Sequence, residues 1–501
     1  MPEANPYQVK EVHTRFLYPF FFHRDAIREA AGKLQRATLA DATDTTDQRA
    51  IWQLTEAPGL YRDEVLQHVS EFLFGASAAG PCEYLKVTGD ALNSIFHGRV
   101  LLQLPDGVTL PFKPTRRIGI ELFLTKYGIG ILSIALTPEK ENLNLDEAIE
   151  FSYRLARFDP MPAAELRIPR SSGDEALPRV AEDQNEPKGL GALGGTFTMP
   201  DLSAKLLAPL KEFGLEKMQQ GLSAYAVVRF GADVDFDAAE TRARIGPFLA
   251  KLAQVEESDH ACAIQGSVGV AEVVLNAQHW AACGLLGAAH FVADQTPPTG
   301  HDEHPFNVQR VPRVRDKYFV PYLMALLQRL FLNRTIREAG RIAASRNADA
   351  KQRLAELRED ILEFAVQGHF VQISSREALH RFYRIAQKGL DIPEAWQEVN
   401  YAISNLDQRF ATEYEHRLSQ DMTQNLVSIN RVQQAVHVIE YIVVGTYLAE
   451  VWHLIIGDEH KAKWHGWFNS ITVLIAFVIG LIFVRVVNGY VERKPKEHEG
   501  T

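Results

Sequence analysis

Two carboxylates, Glu440 and Glu450, stand inside VIEYIVVGTYLAEVWHLII, the otherwise largely apolar run at 438–456. Burying such a group in hydrocarbon costs several kcal/mol, so both side chains are expected to face water or other polar groups. At about 100° of rotation per helical residue, Gln433, His437, Glu440, Val443, Tyr447 and Glu450 share one broad side. Tyr441, Gly445, Leu448, Ala449, Trp452 and Ile456 share the other. Identical copies around an axis would turn the first side into a wet path lined by these six residues, with Glu450 as a ring of like charges that attracts cations. The residues that follow, GDEHKAKWHG at 457–466, would set Gly457, Asp458 and Glu459 at its outer mouth.

Elsewhere, residues with chemical potential are sparse. His301, Asp302, Glu303 and His304 form a small ligand-rich cluster, but further partners at a metal-binding spacing are missing, and an ordinary polar loop is expected. Arg310, Arg313, Arg315 and Lys317 form a basic stretch, and Arg116 with Arg117 another; solvated surface charge is the expected role of both. The sequence has no phosphate loop ending in Gly-Lys-Ser/Thr, no dinucleotide glycine fingerprint and no nucleophile elbow, so catalysis is not expected. Three cysteines, Cys82, Cys262 and Cys283, are too few and too scattered for a disulfide framework and fit a reducing compartment. A net charge of −10 argues against direct nucleic-acid binding.

The elements that would position the acidic residues can be read from breakers and periodicity. The run WFNSITVLIAFVIGLIFVRVV at 467–487 is uncharged until Arg485 and has the ~20-residue length of a bilayer crossing. With 438–456 as a first span, it predicts two C-terminal transmembrane helices, and a basic tail at 488–501 that should be cytoplasmic. The start of the chain lacks the apolar run of a signal peptide, so the N-terminus is expected in the cytoplasm as well. Together these give a multi-pass inner-membrane protein. Upstream, no breaker occurs back to Pro393, so 393–456 is expected as one stalk helix, ~96 Å long. Its apolar positions (Val399, Ile403, Leu406, Phe410, Tyr414, Leu418, Met422, Leu426, Ile429, Val432 and Val436) recur at a mean near ~3.7 residues, closer to an eleven- than a seven-residue repeat. Eight acids against three bases between Glu394 and Glu450 would draw cations if the helix were repeated about an axis.

An α/β unit is expected before the stalk. VHTRFLYPFFF at 12–22, the hairpin RVLLQLPDGVTLPF turning at Asp106 and Gly107, and a second hairpin turning near Tyr127 and Gly128 read as strands. Segments 63–74 and 145–158 read as amphipathic helices. The organisation is an α/β domain in two parts, 1–165 and 201–312, around a Pro, Gly and Ser-rich linker or insertion at 166–200, then helices over 313–392.

This order of parts resembles the CorA-type cation channels and transporters, most closely over 393–496. The external Gly-Met-Asn signature of that family is replaced by Gly457, Asp458 and Glu459, so only the glycine matches. The resemblance implies a homopentameric membrane cation channel or transporter gated through its cytoplasmic domain, with the lipid bilayer and inorganic cations as partners and a divalent cation such as magnesium as the possible bound ion. Divergent relatives imply an alternative: a ligand-gated membrane effector of bacterial antiviral defence, with a small-molecule or nucleotide-like ligand at the cytoplasmic domain. A non-conducting, membrane-anchored interaction module is the third reading.

Overall fold

In VKEVHTRFLYPFF the residues alternate between two kinds of neighbour, and that alternation organises the first strand, β1 (Val9–Phe21). Leu17 and Phe21 join one apolar cluster, while Phe16, Tyr18 and Phe20 join a second on the opposite face. A strand covered on both sides reads as a nearly continuous apolar run. A register shift between Val9 and Glu11 turns Val9 to the face of Val12, where both enter a third cluster.

In this computed structural model the described residues are 8–39, 49–75, 81–89, 91–92, 100–103, 109–114, 119–139, 143–157, 165–168, 195–217, 221–231, 234–257, 269–296, 304–345 and 349–455, with Ile471, Leu474 and Val478. Beside β1 lie β2 (Cys82–Val87), β3 (Ile120–Thr125), β4 (Ile129–Pro138), β5 (Ser223–Phe230), β6 (Ala271–Asn276), β7 (His279–Cys283) and β8 (Gly287–Ala293). Their order across the sheet is β2-β3-β4-β1-β5-β8-β7-β6. All these pairs are antiparallel except β5 with β8, a parallel pair that needs a crossover. Residues 100–103 and 109–114 form the expected hairpin strands, the second pairing with the last three residues of β4. The second expected hairpin is β3–β4, with Gly128 at φ 65° in its turn. Residues 169–194, most of the expected linker, lie outside the described residues.

Helices cover both faces. On one side are α1 (Ile27–Arg36), α4 (Leu145–Ala156), α5 (Met199–Leu206) and α6 (Ala239–Gln254). The short α2 (Gly59–Arg62) and α3 (Gln67–Phe74) lie on the other, with α7 (Pro305–Lys317), α8 (Phe319–Ala344), α9 (Ala350–Gln367) and α10 (Glu377–Gly389). From Phe319 to Leu327 every residue of α8 is buried, because the sheet covers one side of it and α9 and α10 the other. His304, expected in a polar loop, instead caps α7, which Pro305 opens, by accepting from the Phe306 N–H.

Asp391, at φ 50°, ends the corner after α10, and α11 (Ile392–Ile455) then runs for 64 residues. Two compact units result, Met1–Ser404 and Asn405–Thr501. The first turns of α11 belong to the former, where Ala395 and Val399 are core residues and Trp396 and Ile403 pack against them.

Two expectations about the C-terminus are corrected. Among the described residues no helix is long and apolar enough to cross a membrane. The 438–456 segment is helical through Ile455 but belongs to a helix that carries Glu440 and Glu450 across it. Most of 467–487 lies outside the described residues. Two C-terminal transmembrane helices are therefore not supported by the described residues, and among these neither the multi-pass inner-membrane location nor the reading of the chain as a membrane ion channel finds the spans it required.

Candidate functional site

The strand register gathers titratable groups on the sheet face beneath α7 and α8. On β1, Glu11 lies opposite Arg229 of β5, His13 opposite Val227 and Arg15 opposite Tyr225. On β3, Glu121 lies opposite Ser133 of β4. At the centre, Arg15 Nη1 donates to Glu121 Oε2 at 2.7 Å and Arg15 Nη2 to Asp316 Oδ1 of α7 at 3.2 Å. Tyr61 Oη of α2 and Tyr84 Oη of β2 donate to the same carboxylate at 2.8 and 2.6 Å. The Arg15 guanidinium also lies 4.1 Å from the ring centre of Phe319. Arg15, Glu121 and Asp316 are at most 2% exposed.

Charges this deep survive only when paired and hydrogen-bonded. Burial pushes the phenols of Tyr61 and Tyr84 up, and the neighbouring Glu121 carboxylate adds to it, so both remain donors. Burial opposes the charge on Arg15, but Tyr61, Glu121 and Asp316 outweigh it and the guanidinium is held above its ordinary value. The cluster thus ties α2 and α7 to the middle of the sheet by directional bonds that apolar packing alone would not supply.

Towards the start of β1 the row becomes more accessible. His13 bonds Thr137 through Nδ1 at 2.8 Å and Glu11 through Nε2 at 2.7 Å. That bond outweighs burial and, with Arg229 and Arg315 nearby, holds the Glu11 carboxyl below its usual value. Asp294 receives Arg229 through two nitrogens, at 2.7 and 3.1 Å, and Lys10 at 3.0 Å. On the other flank His279 Nε2 and His290 Nδ1 lie 3.0 Å apart, with both rings buried. Burial pushes His279 down to about 3, and burial with His279 beside it lowers His290, so this pair is neutral. These arrangements clamp the fold.

The expected site residues fall elsewhere. Gln433, His437, Glu440, Val443, Tyr447 and Glu450 are all exposed on α11, with His437 Nδ1 3.1 Å from Glu440 Oε2. Gly457, Asp458 and Glu459 lie outside the described residues, as do His301, Asp302, Glu303, Arg116 and Arg117. Among the described residues, no group of three or more His, Cys, Asp or Glu could hold a metal.

The basic stretch departs from expectation. Arg315 and Lys317 are buried, Arg315 against Asp316 and Lys317 against Glu64 at 2.9 Å; Arg310 donates to the Ala293 carbonyl and Arg313 to Gln309. The buried cluster was signalled only by charged residues inside apolar strands, Arg15 in VHTRFLYPFFF and Glu121 in GIELFL; nothing local named their partners.

The second unit presents a different feature. Along α11, Tyr414, Leu418, Met422, Leu426, Ile429, Val432, Val436, Ile439 and Val443 are between 46% and 65% exposed. Large apolar side chains repeated at helical spacing over this length form an uncovered surface far beyond scattered surface leucines. Its spacing fits another helix. No protein-family model, curated protein or solved structure matches the chain.

Proposed function

We propose that this chain is a self-assembling interaction protein, whose C-terminal helix joins several copies and thereby multiplies the binding surface of its α/β unit. The uncovered apolar stripe of α11 carries this reading. An isolated helix gains most of its stability from burying such a stripe, and a second copy of the same helix offers a surface of matching period and length. Joining copies converts weak single contacts into avid ones, by factors of roughly 10²–10⁴ where several can engage at once. The charge clamps of the α/β unit support the same reading, since they suit a rigid surface to be presented rather than a cleft for turnover.

The test is the mass of the full chain by light scattering, compared with Ile429→Asp/Val436→Asp. The native chain should run as an oligomer. The variant should become monomeric while the near-ultraviolet signal of the α/β unit is unchanged. A native chain that stays monomeric over the accessible concentration range would refute the proposal.

A further inference from the structure

We infer that residues 418–443 of α11 form a parallel, in-register coiled-coil seam joining three or more copies of this chain, with Asn425 as the polar layer that fixes the register. The inference rests on the self-association reading and adds its geometry. Leu418, Met422, Asn425, Ile429, Val432, Val436, Ile439 and Val443 are separated by alternating steps of four and three, the seven-residue pattern of a coiled-coil seam. The broader spacing found from Val399 onward mixes two surfaces: Val399 lies in the core of the first unit and Ile403 packs against it, while the eight seam residues are all exposed.

The residue types set the number of strands. Two-stranded parallel seams favour β-branched residues at one of the two seam positions and leucine at the other. Here Ile429 and Val436 occupy one, and Val432 and Ile439 the other, so β-branched side chains fill both and favour more than two helices. The flanking positions agree, because Leu426, Ala435 and Ile442 widen the apolar face beyond what a single neighbour covers. Those flanks carry only Asp421 and Glu440 as charges, so no ladder of opposite charges selects an antiparallel pairing.

Asn425 then selects among the remaining arrangements. In parallel, in-register copies the Asn425 amides meet in one layer and can bond each other. A slip of one seven-residue repeat sets them against Leu418 or Val432, and reversing one helix sets them against other aliphatic layers. An amide buried without a partner costs about 1–3 kcal/mol, so each misalignment is penalised at every copy.

The experiment uses the full chain and three variants, Met422→Cys, Ile439→Cys and Asn425→Leu, with mass measured by sedimentation equilibrium. The two cysteine variants should each form a covalent dimer on mild oxidation, at both ends of the seam, and the native assembly should contain three or more copies. Asn425→Leu, combined with either cysteine, should lose uniform crosslinking and show a spread of masses. A native monomer would overturn both the inference and the self-association on which it rests. A native dimer, or crosslinking at only one cysteine, would overturn the parallel multi-strand seam and leave self-association standing. Unchanged mass and crosslinking in Asn425→Leu would overturn the role of Asn425.

Discussion

Arg15→Met keeps an unbranched side chain of similar reach and deletes the charge that touches both Glu121 and Asp316. Asp316 retains Arg315 at 3.0 Å, so the loss falls mainly on Glu121. That carboxylate keeps the phenol donors of Tyr61 and Tyr84 but, at 0% exposure, water cannot replace the missing cation. Stranding one partner of a buried ion pair costs about 3–5 kcal/mol. With a urea slope of about 3 kcal/mol/M, the unfolding midpoint of the α/β unit should fall by about 1–1.7 M. Trp52 and Trp280, both 2% exposed, provide the fluorescence signal. Adding Glu121→Met removes the stranded charge and should restore part of the loss. A penalty under about 1 kcal/mol, or strict additivity of the two substitutions, would refute the account of this cluster as a coupled charge network.

Acid should destabilise the α/β unit through its buried histidines. His279, pushed down to about 3 by burial and by Arg310, stays neutral in the fold while the unfolded chain titrates near its ordinary value. The unfolded state therefore binds more protons, and stability should fall from about pH 6.5 towards 3, by up to about 1.4 kcal/mol per pH unit for each such imidazole. In urea titrations His279→Asn should flatten that slope; an identical slope would contradict it. Gly128→Ala puts a side chain at φ 65° and directs a Cβ at the Phe22 carbonyl and Arg334, so a loss of at least about 2 kcal/mol is expected from the left-handed backbone and the collision together. A thermal midpoint equal to that of the parent would contradict this turn geometry.

Most of the α/β pattern was legible locally. The strands β1 and β4, the helix α4, and the unbroken α11 after Pro393 follow from period, breakers and caps within a few residues. The strands β7 and β8 were not separately visible, because HWAACGLLGAAHFVA has an apolar character that a buried helix would share. At 438–456 the sequence pattern misled: apolar content suggested a span, while Glu440 and Glu450 are exposed on α11. The seam on α11 was present in the sequence but blurred, since the apolar positions of the first unit were averaged with those of the second.

By itself, then, the sequence determined the elements and the period of each helix face, because propensity and periodicity are properties of neighbours along the chain. Only the tertiary structure decided which charges are solvated. Arg315 and Lys317 read as surface residues until Asp316 is brought under the sheet beside Arg15 and Lys317 meets Glu64, a residue more than two hundred positions away. A charge is tolerated in the interior only where a distant segment supplies its counter-charge and donors, and no local pattern records which segment that will be.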